Sequence, residues 1–391
     1  MTRVVFLSPA LPVPFGRADA RWLHAVLSEL AARGFDVMCL SCTEETAPKV
    51  DEAASLAASL GYSFRHVPLQ LNESTIRRKA YSLAQPRSEF ARCPALLDAL
   101  EHERSLDTAV LHVEHLFSSW VTRRTPRTVT YLHHLEVVDW ADRTALSVRE
   151  RIDLVQMRRA TTRLLRSGAP VIAASGRLAT EVARYGVARP PVVPIALDSR
   201  LYPPVPFLDA PVVGVIGSMH WYPSRAAAER VLRLWPAIRA RVPDATLLVG
   251  GWNSERYLER WFPLDGAELL GSVERPEDFF GRISVLLYPP PRGSGMKIKV
   301  LESLAYGVPV ISNAEGLEGL HFENGRHVIR AESDDDIVRE TSTLLLDPGR
   351  RRGLADSGRT LIELEHSPGC VTDQLLAAYD ELGLLACGPT T

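Results

Sequence analysis

At 391 residues the chain exceeds what one hydrophobic core commonly organises, so two domains are expected. Hydrophobic residues make up 46% and charged residues 24%, a balance that excludes a disordered or fibrous chain. The formal net charge of -2 hides an asymmetry, because residues 1–205 carry 26 Lys/Arg against 21 Asp/Glu (+5) and the remainder 19 against 26 (-7).

Short Val/Ile/Leu-rich runs alternate with amphipathic stretches along the whole chain, the pattern of parallel β/α units. RVVFLSPA reads as a first strand rather than a signal peptide, followed by a helix over about 17–33. FDVMCLSC is the next strand; its Cys39 and Cys42 have no second pair to complete a zinc site and read as small apolar residues. A helix over about 49–60 and the strand YSFRHVPL follow, then TAVLHVE, TVTYLHH and VIAAS, each leading into helical sequence. Leu201 to Pro211 holds four prolines, which stiffen an extended path and mark an interdomain linker.

The alternation restarts with VVGVIGSM and runs through ATLLVGG, AELLGSV, SVLLYPP, VPVIS and HVIRA. Two doubly wound domains are therefore predicted, over residues 1–205 and 206–367, with residues 368–391 forming a C-terminal helix. Ligands of such sheets bind at the carboxyl ends of the strands, so a cleft there is the expected site. Asp334, Asp335 and Asp336 follow Ser333 and precede an apolar run, which makes them a helix cap and first turn rather than a metal site. No run approaches the roughly 20 apolar residues of a membrane span, so a cytoplasmic protein with at most peripheral membrane contact is expected.

The segment PPPRGSGMKIKVLESLAYGVPVIS, residues 289–312, carries the most chemistry. Gly293, Ser294 and Gly295 form a loop after a strand, and a helix opens near Met296. Glycines let backbone approach a ligand, and free amides at a helix N-terminus favour an anion. Lys297 and Lys299 oppose the helix dipole in the first turn, which suits a diphosphate partner. Glu302, in an apolar run, suits hydrogen bonds from ribose hydroxyls.

This segment resembles glycosyltransferase family 4, and more closely the bacterial sugar transferases whose equivalent reads like G-G-G-T-R-L-K-I-L-E-A. Lys297 stands at the Arg position of that pattern, Lys299 at the Lys and Glu302 at the Glu. AYGVPVISNAEGLEGL matches the strand and loop that follow, with Gly316 and Gly319 at the family's glycines. The resemblance implies GT-B architecture, two Rossmann-like domains facing a cleft, with the last helix returning to the N-terminal one. It also implies transfer from a nucleotide-diphosphate sugar with retention and without a metal or other cofactor. Lys297 and His133 are the implied catalytic residues, His133 and His134 ending a strand where relatives show a His at the reaction centre; alternation sends the two to opposite sides.

In GSMHWYPS, Gly217, Ser218 and His220 stand where many relatives hold the diphosphate with an Arg and a Lys. Gly16 and Arg17 occupy the place of the family's glycine-rich phosphate loop, and Val273 that of a base-binding loop. Ser294 replaces the first Glu of the family's E-x7-E pair, so sugar hydroxyls are expected to rely on the serine and on the loop amides. A sugar phosphorylase or epimerase, or a non-catalytic sugar-nucleotide-binding subunit, is the alternative on this fold. The basic N-terminal half suggests an anionic or lipid-linked acceptor, with Arg77, Arg78, Lys79, Arg123 and Arg124 as contacts; solvated helix faces are the plainer account. No nucleic-acid partner is expected.

Overall fold

The computed structural model describes residues 3–69, 93–104, 110–116, 127–140, 143 and 146–385. The chain divides into one unit of Met1–Ala196 with Pro368–Thr391 and a second of Leu197–Ser367.

In the first unit β1 (Arg3–Ser8), β2 (Asp36–Thr43), β3 (Ser63–Pro68), β4 (Val110–Glu114), β5 (Thr128–Leu132) and β6 (Val171–Ala173) form a parallel sheet of order β3-β2-β1-β4-β5-β6. Val4 to Leu7 and Val110 to Glu114 are buried at every position, as expected of strands covered on both faces. The covering helices are α1 (Ala18–Ala32), α2 (Ala47–Leu60), α3 (Pro94–Arg104), α4 (Glu136–Asp139), α5 (Val148–Leu165) and α6 (Gly176–Ala183). Cys39 and Cys42 are buried thiols of β2, and burial pushes the Cys39 thiol up to about 12, which makes it inert.

The second unit repeats the plan with β7 (Val212–Ile216), β8 (Thr246–Gly250), β9 (Ala267–Gly271), β10 (Val285–Tyr288), β11 (Val310–Ser312) and β12 (Ile329–Arg330), in the order β12-β11-β10-β7-β8-β9. Its helices are α7 (Tyr222–Arg241), α8 (Ser254–Leu258), α9 (Pro276–Phe280), α10 (Ile298–Ala305), α11 (Asp334–Leu345) and α12 (Pro348–Glu365). The final helix, α13 (Pro368–Glu381), belongs to the first unit, where Asp373 pairs with Arg33 at 2.5 Å. Strand order reverses beside β1 and beside β7, which opens a crevice at the β1/β4 edge of one sheet and at the β7/β10 edge of the other.

Two details differ from the sequence reading. The first unit ends at Ala196 rather than at 205, because the proline-rich segment packs on the second unit. The Val205 amide donates to the Tyr306 carbonyl at 3.0 Å, and Arg359 donates to the Tyr202 carbonyl at 2.8 Å. Secondly, α10 begins at Ile298 with Lys297 as its N-cap, not near Met296. The aspartate run does form the first turn of α11, with the Asp336 amide donating to the Ser333 hydroxyl at 3.1 Å.

Arg351 fixes the linker. Its guanidinium is buried and donates to the carbonyls of Leu344 (3.3 Å) and Leu345 at the end of α11, and of Leu208 (3.4 Å) and Asp209 (2.5 Å) in the linker. Arg351→Ala should therefore destabilise the second unit by about 2–4 kcal/mol in urea unfolding, since the carbonyls of buried Leu344 and Leu345 and of two part-buried linker positions lose their donor. Arg352→Ala, at an exposed neighbour, should stay within about 0.5 kcal/mol of the parent.

Candidate active site

The crevice of the first sheet is built around a carboxylate. Alternation in the buried strand LHVE leaves Glu114 at the end of β4 with no exposure, where an ionised group must be surrounded by donors. Trp22 of α1 donates through Nε1 to Oε1 at 2.9 Å, His112 Nε2 lies 3.0 Å from the same oxygen, and His133 Nε2 lies 2.5 Å from Oε2. On the far side of His112, the Tyr379 hydroxyl of α13 lies 2.7 Å from Nδ1.

Burial pushes the Glu114 carboxyl up, yet His133 and His112 outweigh it and hold the group well below the usual range. Burial also pushes His133 below its ordinary 6.5, and Glu114 only partly pulls it back. A neutral His133 thus donates its Nε2 proton to Glu114 and leaves Nδ1 as an acceptor, a tautomer assigned from these partners.

His115 continues the cluster from β4. Its backbone sits at φ 68, a costly left-handed conformation for a non-glycine residue. That turn stacks its ring on His133 at 4.7 Å and sets Nε2 3.0 Å from Asp19 Oδ2. Asp19, buried in the first turn of α1, also pairs with Arg17 at 2.8 Å. Burial pushes Asp19 up, but His115 and Arg17 hold it well below its ordinary value.

The crevice of the second sheet is built around a cation. Lys299 Nζ donates to Ser224 Oγ at 2.7 Å and to the Tyr288 hydroxyl at 3.2 Å, and lies 4.3 Å from the Tyr288 ring centre. Burial pushes the Tyr288 hydroxyl up, but the Lys299 ammonium outweighs it and brings the phenol below its ordinary value. The ammonium fits there because position 217 is glycine: a Cβ would meet Nζ at 2.8 Å. Gly217 in turn abuts Gly251, whose φ of +114 and contact with the Gly217 carbonyl leave no space for a side chain.

Lys297 curls back onto its own loop, donating to the carbonyls of Ser294 (3.3 Å) and Gly295, with Glu318 Oε2 at 3.9 Å. The loop amides are engaged as well. Gly293 N–H donates to Glu315 Oε2 at 3.2 Å and Gly295 N–H to Glu318 Oε1 at 3.0 Å. In this structure two carboxylates from the loop after β11 thus take the Gly293 and Gly295 amides that the sequence reading assigns to the ligand. Met296, also expected among the donor-binding residues, is buried against Gly319, where a Cβ would meet its Cγ at 2.5 Å, and so packs the loop.

The structure thus brings Gly217, Ser224, Tyr288 and Lys299 together, and places Ser294, itself buried, beside Lys297. Ser218 is half-buried in the turn after β7, its carbonyl accepting from the Trp221 amide at 3.1 Å, while Glu302 is buried on α10. His220 is exposed at the rim, 3.4 Å from the Tyr257 hydroxyl, and Val273 packs on Gly250 at the end of β8. In the first unit Gly16 and Arg17 line an open hollow of about 770 Å3 at the ends of β1 and β2. Strand alternation does not separate His133 from His134, because β5 ends at Leu132; His134 instead turns to Asp139 at 2.8 Å.

Arg77, Arg78, Lys79, Arg123 and Arg124 lie outside the described residues. Among the described residues no group of three or more His, Cys, Asp or Glu is arranged to hold a metal ion. Glu114, His112, Asp19, Glu315 and Glu318 were missed from sequence, although an acidic residue and a histidine within the apolar strand TAVLHVE are a visible signal of a buried polar site.

Known proteins resemble this chain in both halves. The family model described as Glycosyltransferase Family 4 matches residues 20–199, and the one described as Glycosyl transferases group 1 matches residues 210–347. No curated protein matches by sequence. Among solved structures, sucrose-phosphate synthase from Thermosynechococcus elongatus superposes with a TM-score of 0.71 at 17% identity, over 98% of this chain and 99% of that one. HepE from Anabaena, in complex with UDP and glucose, gives 0.70 at 14% identity, over 97% and 100%. A TarM variant from S. aureus, in complex with Fondaparinux, alpha-GlcNAc-glycerol and UDP, gives 0.70 at 8% identity, over 97% and 100%.

The Glu114 cluster makes its own prediction. A carboxylate held below its ordinary 4.5 contributes stability that is complete above that pH and lost as the pH falls below it. Glu114→Gln should cost about 3 kcal/mol at neutral pH, because the amide cannot accept from all the N–H groups pointed at it. The variant should also lose less stability than the parent between neutral pH and pH 4; equal losses in urea titrations would contradict this account.

Proposed function

Because the chain belongs to the family 4, group 1 glycosyltransferases of the GT-B fold, we propose that it transfers a sugar, with retention, from a nucleotide-diphosphate sugar held at the β7/β10 crevice to an acceptor hydroxyl. The observation that carries this reading is the pair of lysines fixed at that crevice. Each ammonium has three N–H donors and spends two of them, Lys297 on loop carbonyls and Lys299 on Ser224 and Tyr288, which leaves one each for a phosphate oxygen. The UDP in the HepE and TarM structures supports the donor class.

In the reaction the bond from the anomeric carbon to the diphosphate oxygen breaks, and the acceptor oxygen bonds to that carbon on the same face. The acceptor's proton passes to the departing phosphate. Negative charge grows on the diphosphate as it leaves, and a positively charged donor already locked in place stabilises that growth without reorganising. Lys297, tied at both its ends to the Gly293–Gly295 loop, has this property; the lysines supply the charge, so the mechanism uses neither a metal nor another cofactor. Glu302 takes the ribose, and Gly217 and Ser218 give the diphosphate close access to backbone. Neutral His133 accepts a hydrogen bond from a substrate hydroxyl at Nδ1. Gly16 and Arg17, on the hollow of the first unit, serve the acceptor side rather than the phosphates, because Arg17 is already neutralised by Asp19.

Three measurements test this. A thermal-shift panel of UDP, GDP, ADP and dTDP should show stabilisation by the cognate nucleotide, since a ligand that binds only the folded state raises its stability. Lys297→Ala should lower both turnover and donor affinity, each by roughly tenfold to a hundredfold, while Glu302→Gln should act mainly on donor binding. Folded Lys297→Ala protein with parental affinity and rate would remove the main support. As the His133 pKa lies below 6.5, kcat/KM should stay level down to that pH and fall below it; an acid limb centred above 6.5 would show that His133 is not the acceptor.

A further inference from the structure

We propose that Glu318 speeds release of the product nucleoside diphosphate by offsetting the Lys297 ammonium that holds it. The inference rests on the reading of the β7/β10 crevice as the donor site, and adds to it a residue outside the glycine loop. Glu318 is buried in the loop after β11, and its two oxygens face different groups. Oε1 accepts from the Gly295 amide at 3.0 Å, while Oε2 stands 3.9 Å from Lys297 Nζ.

The amide alone does not account for a carboxylate. A backbone N–H needs an acceptor, and a neutral carbonyl oxygen satisfies it at far lower desolvation cost than a buried charge. The same loop contains the neutral solution, since the Gly316 amide donates to Asn313 Oδ1 at 3.1 Å. Lys297 does not need the charge for its hydrogen bonds either, because it donates to the carbonyls of Ser294 and Gly295. Its counterpart Lys299 is held by two neutral hydroxyls, those of Ser224 and Tyr288. What the second Glu318 oxygen adds is negative charge beside one of the two ammonium groups. Solvent screens it little there, as the side chains of Glu318 and Lys297 are only 1% and 12% exposed.

That charge matters most after transfer. When the bond from the anomeric carbon to the diphosphate breaks, the leaving oxygen keeps the electron pair and takes the acceptor's proton. A terminal phosphate with a second pKa of about 6 yields that proton at neutral pH, and the product then bears one more negative charge than the donor. Two unopposed ammonium groups would hold this product more tightly than the donor and delay the next cycle, since product release limits turnover in many enzymes. Glu318 acts through Lys297, which makes it a positioning residue rather than a catalytic one.

The test is calorimetry on the full chain with UDP, GDP, ADP and dTDP, each beside its uncharged nucleoside. Glu318→Gln keeps an oxygen for the Gly295 amide and removes the charge. It should bind the cognate diphosphate about three- to tenfold more tightly than the parent, with slower dissociation in stopped-flow displacement and unchanged affinity for the nucleoside. A merely structural role predicts the reverse, weaker binding of both, because a loosened loop must be ordered again on binding. Lys297→Met with Glu318→Gln removes the pair together and should bind the diphosphate more tightly than Lys297→Met alone, a comparison that decides the matter where Glu318→Gln by itself fails to fold. Unchanged or weaker diphosphate binding in either folded comparison, or equal tightening of the nucleoside, would overturn the proposal. Failure of the parent to bind any of the four diphosphates would remove the donor reading itself, and this inference with it.

Discussion

A carboxylate shut away from water keeps its charge only if donors reach it from several sides, and Glu114 imposes that condition on the whole first unit. Its hydrogen-bond partners come from α1 through Trp22 and from the segment after β5 through His133, and His112 Nε2 lies 3.0 Å away from its own strand. Tyr379 then holds His112 from α13, a helix more than 260 residues away in sequence (|i−j| = 267). The rotation of α1, the turn after β5 and the seat of α13 are thereby coupled to one charge. Such a network is costly when partly satisfied and specific when complete. The left-handed backbone of His115, which lets its ring stack on His133, is the one visible strain in this coupling.

The second unit solves the same topological problem with the opposite sign. At its switch point stands Lys299, over a glycine and a tyrosine ring, and the close approach of Gly217 to Gly251 makes room for it. In both sheets the polar node sits where the strand order reverses, because adjacent loops diverge there and the core cannot close over them. The two nodes differ in the sign of their charge, and the proposed function follows that difference. A fixed cluster of ammonium groups suits a diphosphate, whereas a neutral imidazole backed by a carboxylate suits a hydroxyl.

The overall plan was legible in the sequence because it rests on periodicity. Apolar four-residue runs such as VVFL and VLLY, too short for helices and bounded by turn residues, read as strands buried on both faces, and prolines mark where the alternation pauses. The residues of the second crevice were legible through local spacing, since Gly293 to Glu302 are consecutive along the chain. What spacing could not show was tertiary: Glu315 and Glu318 lie more than twenty residues beyond the amides they accept from, and Ser224 and Tyr288 come to Lys299 from two other elements. The Glu114 cluster was hidden for the same reason, its members being spread from Trp22 to Tyr379. The unit boundary was misplaced because prolines report stiffness and not which side the segment packs on; buried Arg351 decides that, and nothing in the linker reveals it.

The occupied amides of the glycine loop change how the site's physics should be understood. Free amides would bind an anion directly but would leave a loop with two glycines and no fixed shape, whose ordering on each binding event would cost conformational entropy. Here Glu315 and Glu318 take those amides in the folded protein itself, Asn313 donates to the Pro290 carbonyl at 2.7 Å, and Met296 packs on Gly319. The loop is ordered before any ligand arrives, and its carbonyls then hold the Lys297 ammonium in place. Glu318 also brings negative charge within 3.9 Å of that ammonium, which weakens its pull on an anion in the ground state. A lysine restrained in this way gains most when the charge on its partner grows, so under the proposed function the arrangement would favour a departing diphosphate over an intact donor.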